Sequence, residues 1–147
     1  DLLSLKHGGY KGAMGLFHEE NERKTAEAQR KLLALKCHSV DQSITELSGG
    51  NQQKVLISKW LCCNPDVIIF DEPTRGIDVG AKAEIYKVMR QLADDGKVIL
   101  MVSSELPEII TVCDRIAVFC EGRLTQILTN RDDMSEEEIM AWALPQE

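Results

Sequence analysis

The sequence predicts an α/β fold in which a mostly parallel sheet is flanked by helices. Two short strands are expected at Val67–Phe70 and Lys97–Val102, because both runs are apolar, rich in β-branched residues and without alternation. The segment between them, Ala81–Asp94, has the apolar spacing of a helix. Its apolar stripe consists of Ile85, Val88, Met89 and Leu92. Strand, helix and strand in this order form the unit from which parallel sheets are built.

The composition of the 147 residues is that of a globular protein, with 44% hydrophobic and 28% charged side chains. A chain of this length buries roughly two-thirds of its unfolded surface, which suffices for a core. The formal charge of −7 and the aromatic content of 5% argue against nucleic acid as a partner, because binding to a phosphate backbone relies on excess Lys and Arg. No apolar run in the sequence, Val98–Val102 included, is long enough for a membrane span.

Five cysteines are present, and no two of them stand in a C-x-x-C pair. Their odd number and the adjacency of Cys62 and Cys63 predict reduced, partly buried thiols in a cytosolic protein. A metal site is the weaker alternative, since the three histidines show no ligand spacing.

Residues 1–64 are predicted to form part of a helical subdomain. Residues 1–18 are rich in glycine, and a charged surface helix is expected over Glu19–Cys37. After the break at Ser48-Gly49-Gly50, a second helix is expected over Asn51–Cys63, where the following Asn-Pro pair ends it.

Residues 65–130 are predicted to form the α/β core. We expect the strand Val67–Phe70 to be buried on both faces, and we expect Gly96 to end the helix that follows it. The charged residues of that helix, Glu84 among them, are expected to form a solvated face. The remaining elements are expected in this order: a strand at Lys97–Val102, a short helix at Pro107–Val112, and a hairpin at the margin of the sheet, with strands Ile116–Cys120 and Leu124–Leu128 around the turn Glu121–Arg123.

Residues 131–147 are predicted to form a C-terminal helix. Ser135 and Glu138 have the spacing of a capping box, in which each residue satisfies a free amide of the other at the start of a helix. Ile139, Met140 and Trp142 follow, and the sequence leaves open what this helix packs against.

Asp71 and Glu72 are candidates for the chemistry, because they directly follow the predicted strand Val67–Phe70. Ligands of open α/β sheets collect at the carboxyl ends of the strands. The two carboxylates are therefore placed to divide the work on a phosphate, Asp71 in the shell of a Mg²⁺ ion and Glu72 on a water molecule. An acidic turn after a buried strand is an equally weighted alternative.

The segment Leu47–Gln53 is the second candidate, with the sequence LSGGNQQ just before a helix. Ser48, Gly49 and Gly50 leave backbone amides open at a positive helix end, where an anion can approach closely. A Ser-capped helix after a Gly-Gly loop is the alternative, and it would be favoured for the three residues alone. The occurrence of both motifs in this order, one helix apart, favours a phosphate site.

These motifs resemble those of the ABC-type ATPases. Leu47–Gln53 is similar to the signature motif of that family, and Val67–Asp78, VIIFDEPTRGID, resembles a Walker B strand followed by a D-loop. LSGGNQQKV followed by DEPTRGIDVGAKAEIY is similar to the second cassette of the tandem ATPases of bacterial sugar importers of the ribose and galactose type. The resemblance implies a P-loop NTPase fold, with ATP and Mg²⁺ as ligands of the intact protein.

The resemblance also implies a role for each matching residue. Asp71 would support Mg²⁺, and Glu72 would polarise the attacking water. The residues that would bind the γ-phosphate of ATP held by the opposite cassette are Ser48, Gly49 and Gly50, with Gln52 in the same motif. Asp78 would lie in the loop that couples the two ATP sites.

One departure from the family is the absence of a Walker A loop, G-x-x-x-x-G-K-[ST]. The pair Gly96-Lys97 opens a predicted strand, and the glycines around Lys11 follow no strand. A glutamine loop is missing as well. The chain, which begins at Asp1 without an initiator Met, is therefore expected to be a fragment comprising the back half of a cassette.

The other departure is Ser104, which stands where the family usually has a histidine that contacts the γ-phosphate. Serine can donate a hydrogen bond but cannot carry imidazolium charge. The same serine is typical of the second cassette in the sugar-importer group, which suggests a site that binds nucleotide and hydrolyses it poorly. A Ser-capped start of the helix before Pro107 is the alternative, and both can hold together.

Two functions are open as hypotheses. In the first, the chain is part of an enzyme that hydrolyses ATP to drive sugar import. In the second, it is a non-catalytic module that only lends Ser48–Gly50 to the ATP site of the partner cassette. A non-transport ABC ATPase is a distant third option, because of the acidic balance and of the GNQQK and TRGIDVGAK details.

The resemblance further implies partners and a location. We expect a second cassette, transmembrane permease subunits and a peripheral position at the cytoplasmic face of the bacterial plasma membrane. The isolated chain is expected to show no ATPase activity and at best weak nucleotide binding, since it lacks Walker A. Unpaired strand edges are expected to make it dimerise or exchange strands.

Overall fold

The computed structural model describes residues 19–145 of the chain. Its helices are α1 (Glu19–Leu32), α2 (Gly49–Leu61), α3 (Val79–Asp94), α4 (Leu106–Val112) and α5 (Glu136–Ala143). Its strands are β1 (Val67–Asp71), β2 (Val98–Val102), β3 (Arg115–Cys120) and β4 (Arg123–Thr129). Strands and helices alternate through the middle of the chain, so the predicted α/β class is confirmed.

Two compact units divide the chain. The first takes the described residues up to Ile68 together with Thr74–Ile99, and the second takes Ile69–Pro73 together with the residues from Leu100 onward. Helices α1, α2 and α3 therefore belong to the first unit, and the strands β3 and β4 belong with α4 and α5 to the second.

Helix α1 of the first unit ends at Leu32, five residues before its predicted end at Cys37. Ala34 adopts a left-handed backbone with φ +45°, and the Leu35 amide donates to the Arg30 carbonyl over 2.9 Å. This is a Schellman ending, in which one left-handed residue lets the last turn satisfy its own carbonyls. Glycine usually occupies that position, so the sequence Leu-Leu-Ala-Leu carries no local signal for the end of the helix.

Helix α2 begins at Gly49 rather than at Asn51, so both glycines belong to its first turn. Helix α3 begins at Val79, because Asp78 caps it, and it ends at the predicted stop, where Gly96 has φ +87°. The side chains of the predicted apolar stripe of α3 are all buried: Ile85, Val88, Met89 and Leu92.

Strands β1 and β2 pair in parallel within the described residues. The Val98 amide donates to the Asp66 carbonyl over 2.8 Å at one end, and the Glu72 amide donates to the Val102 carbonyl over 2.9 Å at the other. The prediction that Val67–Phe70 is buried on both faces is wrong for the described residues. Ile68 and Phe70 are buried, whereas the alternating Val67 and Ile69 are 52% and 67% exposed. The same holds for β2, on which Val98, Leu100 and Val102 are exposed.

Strands β3 and β4 form the predicted antiparallel hairpin, with Arg115 opposite Thr129 and Cys120 opposite Arg123. Its two-residue turn has positive φ at Glu121 (+50°) and Gly122 (+75°), which is the backbone of a type I′ turn. The hairpin was expected at the margin of the sheet formed by β1 and β2. In the described part of the chain it is instead a separate two-stranded sheet, which is not hydrogen-bonded to β1 or β2.

The core of the second unit lies between the hairpin and α5. Its buried residues are Ile116, Val118, Met134 and Ile139, with Leu106, Ile109, Ile110, Leu128, Trp142 and Ala143 packed against them. Ser135 caps α5 as predicted, since its hydroxyl accepts the Glu138 amide. The other half of the predicted capping box is replaced, because the Glu138 carboxylate binds the guanidinium of Arg131 through both oxygens.

All five cysteines are free thiols. Burial raises the pKa of the Cys113 thiol, with a further contribution from the negative charge of Asp114. Over residues 19–145, no helix has both the length and the apolar character needed to cross a bilayer. That range also contains no trio of His, Cys, Asp or Glu side chains placed to hold a metal ion.

Candidate functional site

The amino end of α2 presents open backbone amides. Ser48 stands at the capping position with an extended backbone, and the first helical hydrogen bond runs from the Gln52 amide to the Ser48 carbonyl over 2.9 Å. The amides of Gly49, Gly50 and Asn51 therefore lie at the positive end of the helix, ahead of that bond. Ser48 therefore occupies the capping position, but its side chain makes no capping hydrogen bond to the helix.

The two glycines of this turn differ in why they lack a side chain. A Cβ added to Gly50 would lie 2.5 Å from the Cβ of Ala81 on α3, so close packing of the two helices requires glycine there. A Cβ added to Gly49 would meet only Ile77 at 3.6 Å, which is an ordinary contact. Gly49 is exposed and Gly50 is buried. Packing therefore explains the glycine at position 50 and does not explain the one at position 49.

Two amide side chains brace the turn. Gln52, which the sequence singles out, donates through Nε2 to the Leu47 carbonyl over 2.9 Å and ties α2 to the preceding loop. Asn51, which the sequence does not single out, donates through Nδ2 to the Ser48 hydroxyl over 2.8 Å and accepts the Lys36 amide over 2.9 Å. The signal that could have found Asn51 is its place three residues after the Ser at the cap position, where side chains face the cap.

Asp78 caps α3. Its Oδ1 accepts the Ala81 amide over 2.9 Å, and its backbone is extended. The turn before it includes Gly76 with φ +77° and an exposed Arg75. The cap, three residues before Ala81, fixes where α3 begins, and Ala81 is the residue of α3 that Gly50 of α2 approaches closely.

A buried lysine joins α2 to α3 below the motif. Lys54 is only 2% exposed, and its Nζ donates to the Glu84 carboxylate over 2.8 Å and to the Ala34 carbonyl over 3.2 Å. Lys36 donates to the other oxygen of Glu84 over 3.0 Å. These contacts lower the pKa of Glu84 to about 2, with the largest contribution from the Lys54 hydrogen bond and the next from the Lys36 hydrogen bond. The expectation that Glu84 only belongs to a solvated helix face is therefore wrong.

Asp71 and Glu72 belong to the second unit. Asp71 ends β1 and is exposed, while Glu72 is half-buried and has a left-handed backbone with φ +47°. For a residue with a long side chain that conformation costs on the order of 1–3 kcal/mol, and such strain concentrates at functional positions. The Glu72 amide is held by the Val102 carbonyl of β2.

The segment after β2 holds the Glu72 carboxylate. The Ser104 amide donates to Glu72 Oε1 over 2.8 Å, so the contact uses the main chain and not the Ser104 hydroxyl. The alternative of a Ser-capped start of the next helix is wrong, because Glu105 occupies the capping position of α4. The hydroxyl that contacts the start of α4 is that of Ser103. It accepts a hydrogen bond from the Glu105 amide over 3.1 Å and donates one over 2.9 Å to the buried carboxyl group of Glu108.

The structure thus assembles the predicted site residues in two groups. One group, in the first unit, consists of Ser48, Gly49, Gly50, Gln52 and Asp78. The other, in the second unit, consists of Asp71, Glu72 and Ser104. Ser48, Gly49 and Gly50 of the first group offer hydrogen-bond donors suited to an anion. The carboxylates of the second group are of the type that suits Mg²⁺ and a water nucleophile.

Comparison with protein families gives a match to the family described as ABC transporter over residues 5–75. Among curated proteins, the chain is 92% identical over 144 residues to the D-allose import ATP-binding protein AlsA of Escherichia coli (strain K12). It is 53% identical over 143 residues to the ribose import ATP-binding protein RbsA of Halalkalibacterium halodurans. These alignments cover 98% and 97% of the chain and 28% of each relative, so the chain spans little more than a quarter of their length.

Solved structures with the same fold are ATP-binding cassettes. The chain is similar to the ADP conformation of MJ1267, an ATP-binding cassette of an ABC transporter, with 28% identity and a TM-score of 0.68 over 89% of this chain and 48% of that one. It is also similar to the dimeric post-hydrolysis state of the cassette MJ0796 bound to ADP and Pi, with 27% identity and a TM-score of 0.66 over 80% of this chain and 51% of that one.

Proposed function

We propose, from the premise that this chain belongs to the ABC transporter family, that it supplies the signature loop, the Walker B carboxylates and the D-loop of an ATP-binding cassette that drives sugar import. Its sugar-import relatives are named for D-allose and ribose, which supports a monosaccharide as the transported substrate. We further propose that the cassette works beside a second cassette and transmembrane permease subunits, at the cytoplasmic face of a bacterial plasma membrane.

The signature loop is proposed to bind the γ-phosphate of ATP held by the opposite cassette. The open amides of Gly49 and Gly50 and the exposed hydroxyl of Ser48 support this role, since they are donors at a positive helix end. No G-x-x-x-x-G-K-[ST] segment occurs in the 147 residues. We therefore propose that the phosphate loop of the cassette lies outside this sequence, and that the isolated chain binds nucleotide weakly and does not hydrolyse it.

The Walker B carboxylates fit the chemistry of Mg²⁺-assisted hydrolysis. A carboxylate oxygen is the ligand type that Mg²⁺ prefers, and Asp71 is exposed at the end of its strand, so Asp71 would support the ion. Bound Mg²⁺ would neutralise charge on the phosphates. Glu72 would accept a hydrogen bond from the attacking water and orient it for in-line transfer of the phosphoryl group.

The single observation that carries the proposed hydrolysis is the fixed Glu72 carboxylate. Its strained backbone and the 2.8 Å bond from the Ser104 amide hold one oxygen and leave the other to orient water. Because the Ser104 contact is made by the main chain, a serine in place of the usual histidine does not release the carboxylate.

A non-catalytic module that only completes the ATP site of the partner cassette is the second candidate. It is favoured by the Ser104 side chain, which cannot carry the positive charge of a histidine toward the γ-phosphate. Under this candidate the signature loop matters and Glu72 does not.

A chimera separates the two candidates. This chain replaces the matched 144-residue segment of the E. coli relative, and ATP turnover is measured with the permease in membranes. If Glu72 is catalytic, Glu72→Gln removes about half or more of the turnover, because two sites share the work. If the chain only completes the partner site, Glu72→Gln has little effect.

Gly49→Asp is the matched variant for the signature loop. It adds a side chain that the packing tolerates and that suits the positive helix end, yet it places a carboxylate where the phosphate would bind. Both candidates predict a large loss of turnover from Gly49→Asp. Unchanged turnover in both variants would contradict any role of this chain in ATP hydrolysis.

A further inference from the structure

We propose that Asn51 is a positioning residue that makes the Ser48 hydroxyl a hydrogen-bond donor toward phosphate. This inference rests on the proposed function of the signature loop and adds a residue to it. Asn51 would not touch ATP itself. It would decide which way the single proton of Ser48 points.

The orientation of the Asn51 amide follows from the Lys36 backbone. A backbone N–H can only donate, so the atom of Asn51 that lies 2.9 Å from the Lys36 nitrogen is the acceptor Oδ1. The other end of the amide, Nδ2, therefore faces Ser48 and lies 2.8 Å from its oxygen. Nδ2 has only protons to offer, so Ser48 accepts this bond.

Because Ser48 accepts this hydrogen bond, its own hydroxyl proton remains available to donate. A hydroxyl has one donor and two acceptor lone pairs, and Asn51 occupies a lone pair. Ser48 does not use its side chain to cap α2. Together with the amides of Gly49 and Gly50, the Ser48 hydroxyl proton makes this turn a set of hydrogen-bond donors. An oxyanion can accept these hydrogen bonds, and a cation cannot.

The segment that orients Asn51 is itself fixed. The Lys36 side chain donates to Glu84 over 3.0 Å, and Glu84 also holds the buried Lys54, whose Nζ contacts the Ala34 carbonyl. Lys36 is thus tied to α3 through its side chain while its backbone is tied to α2. The contact to Asn51 is part of a connected network rather than an isolated surface bond.

The variant that tests the inference is Asn51→Asp in the same chimera. Aspartate keeps an acceptor for the Lys36 amide but presents a carboxylate oxygen to Ser48, which must then turn its proton inward. We expect ATP turnover to fall about tenfold or more, as when one preorganised donor is lost from an anion site. Asn51→Ala, which frees the hydroxyl without reversing it, is expected to cost less than Asn51→Asp.

A double-mutant cycle with Ser48→Ala distinguishes this mechanism from a simple effect of charge. If Asn51 acts through Ser48, Asn51→Asp changes turnover by no more than about threefold in the Ser48→Ala background. An equal loss in both backgrounds would show repulsion between the new carboxylate and ATP, and it would overturn the inference. Thermal unfolding midpoints of all variants report whether the fold is intact.

Two other outcomes are also decisive. If Ser48→Ala lowers turnover while Asn51→Asp does not, the signature loop retains its proposed function and the inference about Asn51 fails. If Ser48→Ala leaves turnover unchanged, the proposed contact of this loop with phosphate fails, and the inference fails with it.

Discussion

Two regions of this molecule differ in how much buried polar contact accompanies their apolar packing. The signature assembly, which consists of α2, α3 and residues 34–36, combines the buried apolar stripe of α3 with a buried ammonium, a shared carboxylate and side-chain amides. The hairpin assembly, which consists of β3, β4 and α5, depends on an apolar cluster. Directional polar contacts fix individual donor atoms, whereas apolar contacts fix only surfaces. The region that we propose to meet a charged ligand is therefore the one in which hydrogen bonds fix individual donor atoms.

The hairpin assembly also contains polar contacts, among them those of the Thr125 hydroxyl. The Thr125 hydroxyl lies 2.8 Å from the Trp142 carbonyl at the end of α5 and 3.0 Å from the Val118 carbonyl. It adds to the apolar packing of the helix on the hairpin and presents nothing to a ligand.

The largest effect is expected from deleting apolar volume in the hairpin assembly. Ile139 is 3% exposed, so Ile139→Ala should lower the free energy of unfolding by about 3 kcal/mol through lost burial and the cavity left behind. Met140→Ala, at the next position of α5 with 42% exposure, is the control and should change it by less than about 0.5 kcal/mol. Urea unfolding measures both. Equal costs would show that apolar packing of α5 does not hold this region.

A smaller effect is expected from Glu84→Gln in the signature assembly. The change leaves the buried Lys54 ammonium without its carboxylate, which should cost about 2 kcal/mol, less than for a fully buried pair because the Glu84 side chain is 37% exposed. Lys54→Met is the matched variant, since it removes the buried charge instead of stranding it, and it should cost less than Glu84→Gln. The reverse order in urea unfolding would refute the importance of the stranded charge.

The same pair makes stability depend on pH. The pKa of Glu84 falls from its ordinary 4.5 to about 2 in the folded chain, so its contribution to stability is present above about pH 4.5 and is lost as the pH falls toward 2. The unfolding midpoints of the unmodified chain and of Glu84→Gln should differ at pH 6 and converge near pH 2. A constant gap across this range would mean that the carboxylate of Glu84 is not what stabilises the folded state.

The smallest effect is expected from removing the cap of α5. Ser135→Ala deletes the bond to the Glu138 amide and should cost about 1 kcal/mol, while Ser135→Asp keeps an acceptor there and should cost much less. Thermal unfolding midpoints compare the two variants. If both cost the same, the apolar cluster alone positions the start of α5.

The sequence predicted features that rest on neighbours in the chain. The hairpin turn at Glu121-Gly122, the cap at Ser135 and the end of α3 at Gly96 all depend on local residue preferences, and all three are confirmed. The end of α1 depends on the same left-handed geometry as the end of α3, but it uses Ala34 in place of glycine. The local signal was therefore absent, and the helix was predicted too long.

Contacts between distant residues were beyond the sequence. Lys54 and Glu84 stand 30 positions apart, and Lys36 and Asn51 stand 15 apart, so no spacing rule connects them. The motif residues were found because the two motifs occur together in this order, one helix apart. The residues that orient them are ordinary lysines and amides, which gain meaning only through the packing of α2 on α3.

The two-residue turn between β3 and β4 affects the order in which the strands of this molecule pair during folding. Residues that pair in this hairpin are close along the chain, so their contacts can form within about 1–10 μs. Strands β1 and β2 have the whole of α3 between them, and parallel pairing across such a loop is intrinsically slower. During refolding, the strand that ends at Asp71 is therefore expected to align with β2 after the hairpin has formed.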